Sequence, residues 1–185
     1  VFLFIIAFIL INPITKKSDA PKKAEYLITM EWDDNLNDDI DLWVRDPAGN
    51  VISFINRTGG LLNLEKDDLG RSNDAVVMPD GTVKVININR EVVTIRGIVP
   101  GVYNVQAHVY ARKSWKEADT GGTITVKVIK VNPYGEVYTG TKKYNTKGQQ
   151  ITLLNFKLDK DGKFLGFNLE HIPGLITRRA AGQLW

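Results

Sequence analysis

Cysteine is absent from the 185 residues, and histidine occurs only at His108 and His171. The first absence excludes disulfides, thiol nucleophiles and cysteine zinc sites. The second leaves any imidazole-based triad or metal site to those two side chains. An excess of one charge is missing too. The 24 Lys and Arg against 21 Asp and Glu give a formal net charge of +3, too even to argue for a nucleic-acid partner. Beyond residue 24 no amphipathic helical period of ordinary length occurs. No G-x-S-x-G, P-loop or dinucleotide fingerprint occurs either. The chain therefore reads as a non-enzyme.

What is present begins with an apolar run, Val1–Ile11 (VFLFIIAFILI), closed by Asn12-Pro13. A spanning helix needs about 20 residues. The run is therefore read as the C-terminal part of a single transmembrane helix over residues 1–13, anchored by Phe2, Phe4, Ile5, Phe8 and Ile9. A buried strand or a cleaved leader is the alternative. Residues 14–24 read as a linker. Its Lys16, Lys17, Lys22 and Lys23 favour a cytoplasmic main domain under the positive-inside rule, a vote that further charge ahead of Val1 would reverse, so the lysines leave the topology open.

After the linker almost every segment alternates apolar and polar residues between turn signals. This predicts an all-β domain over residues 25–170, a β-sandwich of about ten short antiparallel strands, and a tail over 171–185. The long polar stretch after Gly59-Gly60 reads as a loop. Asp159-Lys160-Asp161-Gly162 reads as a hairpin turn. Its acidic spacing imitates a calcium loop, but Lys163 and Phe164 occupy positions that need an oxygen ligand and a glycine.

The candidate chemistry sits in Glu25–Asp33 and Asp39–Asp46. If the loop 34–38 joins them as a hairpin, Ile28, Met30 and Trp32 face Val44, Leu42 and Ile40. The other face then stacks Glu31, Asp33, Asp39 and Asp41. Cross-strand Cβ atoms lie ~4.5–5.5 Å apart, and calcium takes six to eight oxygens at about 2.3–2.6 Å. The four carboxylates are thus candidate calcium ligands, with Asp34, Asp38, Asp67 and Asp68 as candidates to complete the shell. The competing reading is a solvated acidic loop, or carboxylates neutralised by basic side chains such as Arg45. His108 shares a strand face with Asn104, Gln106 and Tyr110, read as an exposed sheet face or as a polar binding strip.

The run Trp32, Asp39-Ile40-Asp41-Leu42-Trp43-Val44, Asp46-Pro47 and Gly49, with Pro100-Gly101-Val102-Tyr103, resembles a YfaP-like bacterial domain family of unknown function. The resemblance covers Glu25 to Arg112. It implies a secreted or envelope β-sandwich without known catalysis. The chain is also similar to membrane-anchored hypothetical proteins of marine phages and bacteria, through Asp67-Asp68-Leu69-Gly70 and Thr94-Ile95-Arg96-Gly97-Ile98. The anchor resembles the ExbD, TolR and MotB subunits of ion-driven motors. That resemblance implies a homodimer inside a ring of a multi-pass membrane protein, with an ion-carrying Asp ahead of Val1.

Together these expectations describe a single-pass, membrane-tethered, non-catalytic module on the periplasmic or extracellular side. It would touch membrane lipid and present a surface to an envelope polymer, a glycan or a protein. The rivals are an ion-motor subunit and a calcium-dependent carbohydrate-binding module.

Overall fold

A computed structural model describes residues 23–114 and 120–176. The anchor residues Phe2, Phe4, Ile5, Phe8 and Ile9 lie outside the described residues. Among the described residues no helix is long and apolar enough to cross a membrane.

The alternation of the sequence becomes strands throughout. In chain order they are β1 (Tyr26–Trp32), β2 (Asp39–Arg45), β3 (Val51–Ile52), β4 (Thr58–Gly59), β5 (Leu62–Lys66), β6 (Ala75–Val77), β7 (Val83–Val85), β8 (Arg90–Ile95), β9 (Gly101–Ala111), β10 (Gly122–Lys130), β11 (Gly135–Tyr144), β12 (Gln150–Leu158) and β13 (Phe164–Asn168). One sheet runs β11-β10-β1-β8-β5-β4 and a second runs β13-β12-β9-β2-β3. All pairings are antiparallel. Apolar rows from both sheets meet in one core, so the fold is all-β and sandwich-like. The stretch expected to be a long loop holds β5, whose Leu62 and Leu64 enter that core.

The predicted hairpin between the first two strands does not form. β1 pairs with β10 and β8, whereas β2 pairs with β9 and β3. The apolar rows themselves are the expected ones: Ile28, Met30, Trp32, Ile40, Leu42 and Val44 are all buried. They enter the core from opposite sheets rather than side by side. A period of two fixes which face of a strand is buried, not which strand lies next to it. Residues 33–38 carry the chain across. Asp38 pins this crossover: its Oδ1 accepts from the Ser114 amide at 2.9 Å, and its Oδ2 accepts from the Tyr144 hydroxyl at 3.0 Å and lies 3.1 Å from Arg112 Nε.

The outer face of the second sheet is the other correction. Asp41 lies opposite His108, Trp43 opposite Gln106 and Arg45 opposite Asn104. The sequence points to an exposed face here, yet Asn104, Gln106 and His108 are buried. The C-terminal segment lies over it. Gln106 Nε2 donates to Ile172 O at 2.7 Å, Asn155 Nδ2 donates to Glu170 O at 2.8 Å, and Leu175 and Ile176 pack with Trp43. The segment supplies carbonyls to buried amide groups, which would be costly to leave unpartnered.

Strands β6 and β7 form a separate two-stranded sheet. The Asp159–Gly162 turn joins β12 to β13 as a hairpin, with Asp159 Oδ1 accepting from the amides of Asp161 and Lys163.

Candidate functional site

With the two strands in different sheets, the acidic set divides into two groups. Glu31, Asp33 and Asp34 close the end of β1. In register Glu31 lies between Thr125 and Arg90, and its Oε1 stands 2.8 Å from Arg90 Nε. Asp33 Oδ1 accepts from the Asn35 amide at 2.9 Å and from its Nδ2 at 3.0 Å. Asp34 Oδ1 accepts from the Asn89 amide at 2.9 Å. These three residues, with Trp32, Ile88, Asn89, Arg90, Thr123 and Thr125, line an open cavity of ≈ 270 Å³. Alternation explains the lining. Ile124 and Val126 point into the core, so Thr123 and Thr125 turn to the outside.

Asn89 ties the cavity floor to the crossover. Its Nδ2 donates to Asp33 O and to Leu36 O, each at 2.6 Å. Both partners are acceptors, so the amide orientation is fixed and Oδ1 is directed away from them. That oxygen is buried and has no hydrogen-bond donor.

The second group is interior. Asp39 and Asp41 stand on the outer face of β2, and Asp67, Asp68 and Glu91 approach them electrostatically. Asp41 Oδ2 lies 3.2 Å from His108 Nδ1. Burial raises the Asp41 carboxyl, opposed by its bond to His108. Burial, then the charge of Asp41, pushes Asp39 up to about 6, while Lys113 at 3.8 Å works the other way. Asp68 is fully buried; its Oδ2 lies 2.7 Å from Lys66 Nζ and its Oδ1 accepts from the Gly70 amide at 2.9 Å.

Glu91 is also fully enclosed, and burial pushes it well above the ordinary carboxylate range, with the Asp41 charge adding to the rise. Its Oε2 accepts from the Leu42 amide at 2.6 Å and its Oε1 from the Asp68 amide at 3.3 Å. The short β3 pairs with β2 only at Val44 and Arg45, so Glu91 serves an amide that β3 does not reach.

The four carboxylates predicted as one calcium cradle are therefore not gathered. Glu31 and Asp33 belong to the cavity, Asp39 and Asp41 to the interior group. Of the additional candidates, Asp34 joins the cavity, Asp67 and Asp68 join the interior group, and Asp38 pins the crossover. Among the described residues no group of three or more His, Cys, Asp or Glu is placed to hold a metal ion. The physical reason is the pairing: only a β1–β2 hairpin would bring the four together.

Sequence reasoning missed Asn89, Arg90, Thr123 and Thr125 in the cavity, and Glu91 in the interior. The Glu91 signal was available, since Glu91, Val93 and Ile95 share one strand face. The others become neighbours only through the pairing of β1 with β8 and β10. Comparison with family models and with curated proteins gives no match to this chain.

Proposed function

We propose that this chain is a non-catalytic binding module of the cell envelope, held at the membrane by its N-terminal apolar run, with the cavity at the end of β1 as its binding surface. The observation that carries this is a contrast between the two acidic groups. The interior carboxylates are enclosed by the fold: Asp68 and Glu91 accept from backbone amides and Asp41 meets His108, while Asp39 Oδ1 and Asp67 Oδ1 are buried without a hydrogen-bond partner. The cavity carboxylates Asp33 and Asp34 are exposed beside an open volume. The contrast is one of access: a group that meets a ligand must stand in a concave, accessible place. The tether reading rests on the apolar sequence of residues 1–13 and its resemblances.

The test is an amide-shift titration of the isotope-labelled chain with small probes of different chemistry: an amine, a neutral sugar and calcium. A binding module shows saturable shifts at Thr123, Thr125 and Asn89 with one probe and no chemical change in that probe. Shifts confined to the opposite sheet, or turnover of a probe, would overturn this reading.

A further inference from the structure

We propose that the outer face of the second sheet binds an extended peptide, and that the chain's own C-terminal segment occupies this face at rest as a displaceable strap. The proposal goes beyond the cavity reading and does not depend on it. Hydrogen-bond donors mark the face. On β12, Asn155 Nδ2 donates to Glu170 O at 2.8 Å; on β9, Gln106 Nε2 donates to Ile172 O at 2.7 Å. On β2, the Trp43 indole N–H is buried and has no acceptor. These three strands are neighbours in the sheet, so the donors stand on adjoining strands. A relay orients Asn155. Arg45 Nε donates to Asn104 Oδ1 at 2.9 Å, and Asn104 Nδ2 donates to Asn155 Oδ1 at 3.0 Å. The Asn155 nitrogen is thereby turned to Asn168 Oδ1 and to the segment. Donors set in place beforehand lower the entropic cost of binding. Asn155 and Gln106 meet main-chain carbonyls rather than side chains, which points to a polypeptide as the ligand class.

The strap is lightly held. Glu170, His171, Pro173 and Gly174 are exposed, and Ile172 is only partly buried. Its apolar anchors are Leu175 and Ile176, which pack with Trp43, Val51 and Phe54 in a cluster separate from the main core. Lifting the strap opens no part of that core. Gln106 and Asn155 then exchange a carbonyl for water, at small net cost. The strap is also an incomplete match. Carbonyls on one side of an extended chain recur every second residue, and Glu170 and Ile172 take that step from β12 to β9. The next step would reach β2. The strap turns instead at Pro173-Gly174, with Gly174 at φ 80, and the Trp43 N–H stays unmet. A partner segment that remains extended there supplies the third carbonyl. Beside Trp43 a cavity of ≈ 320 Å³, with Val51, Ile55 and Asn56 in its wall, gives room for the partner's apolar side chain.

The full chain is to be titrated with a blocked peptide of the sequence Leu169–Ile176. The readouts are the Gln106 side-chain amide and the Trp43 indole proton, the latter assigned with Trp43→Phe. The variant Leu175→Ala with Ile176→Ala loosens the strap. It should show saturable shifts of both signals, with an affinity about tenfold or more above that of the unaltered chain, because apparent affinity scales with the open fraction. A peptide carrying Pro173→Val and Gly174→Thr, extended where the strap turns, should bind tighter still; weaker binding would overturn the part given to Trp43. Equal affinity in the two chains, or no shift in either, overturns the proposal. Should the variant lose its dispersed spectrum, the unaltered chain decides alone: saturable shifts at millimolar peptide support the strap, and their absence overturns it. If a cello-oligosaccharide moves these signals and the peptide does not, the peptide assignment falls.

Discussion

Asp38 illustrates how much of this fold depends on single buried carboxylates. It is fully buried and meets Ser114, Tyr144 and Arg112, which arrive from distant parts of the chain. The same carboxylate beside Tyr144, after burial, pushes that hydroxyl well above its ordinary value. Breaking a buried charge pair by removing one partner costs about 3–5 kcal/mol. Asp38→Ala is therefore expected to lower the denaturant midpoint by a comparable free energy, and a loss below about 1 kcal/mol would show that the crossover is held elsewhere.

Asp39 acts in the opposite sense. Its folded-state value, about 6, lies above the ordinary carboxylate value of 3.8. Between the two the native state binds more protons than the unfolded chain, so the contribution of Asp39 to stability is full below 3.8 and is lost as pH rises through about 6. Asp41 and Glu91 are shifted in the same direction and tilt the profile the same way. Asp39→Asn should raise stability by about 1–3 kcal/mol near pH 8, with the gain shrinking toward pH 4. Urea midpoints at the two pH values measure this; an equal gain at both would refute the charge argument.

At the scale of elements, β6 and β7 stand in contrast to the rest. Ala75 pairs with Val85 and Val77 with Val83, which gives the hairpin one wholly apolar face. Val77 is 71% exposed, Val83 63% and Val85 62%. A two-stranded ribbon with no covered face is marginal by itself. Amide exchange in β6 and β7 should thus be faster by orders of magnitude than in β1 or β9, which have ladders on both sides. Comparable protection would mean that something covers the hairpin in solution.

The same scale separates what the sequence could convey from what it could not. The inward rows of β1, β2, β9 and β10 were legible because each alternates cleanly, and all of them are buried. The partner of β1 was not legible. Asp34–Asp38 has the length of a hairpin loop, and the apolar residues of the two strands match in either arrangement. The observed arrangement carries the contacts of Asp38 with Ser114, Arg112 and Tyr144, which no local pattern contains. The acidic site failed with the hairpin, since its four ligands were neighbours only in that register. The cavity was unreadable for the same reason: Thr125, Glu31 and Arg90 are distant in the chain and adjacent only across β10, β1 and β8.

For the molecule as a whole, the C-terminal segment completes the second sheet. Leu175 and Ile176 are buried against Trp43, and Trp43 meets Phe54 edge-on at 6.2 Å between ring centres. Truncating a buried Leu or Ile to Ala costs about 2–5 kcal/mol where the site cannot collapse. For a short covering segment that cost falls on local attachment before global stability. Leu175→Ala with Ile176→Ala should red-shift the emission assigned to Trp43 by difference from a Trp43→Phe control, and should speed amide exchange at Gln106. An unchanged spectrum would mean that Trp43 is shielded without the segment.

The crossover after β1 has a consequence for how the molecule forms. Tyr26 pairs with Ile95 on one side and with Lys130 on the other, and none of its ladder partners is a sequence neighbour. The first strand cannot nucleate with the second. It must wait until β8 and β10 have been brought to it, and each wait carries the entropy of closing a long loop. Topologies of this kind fold in milliseconds to seconds rather than microseconds. During synthesis β1 emerges before β8 and β10, so Ile28, Met30 and Trp32 lack their ladder neighbours until both have followed.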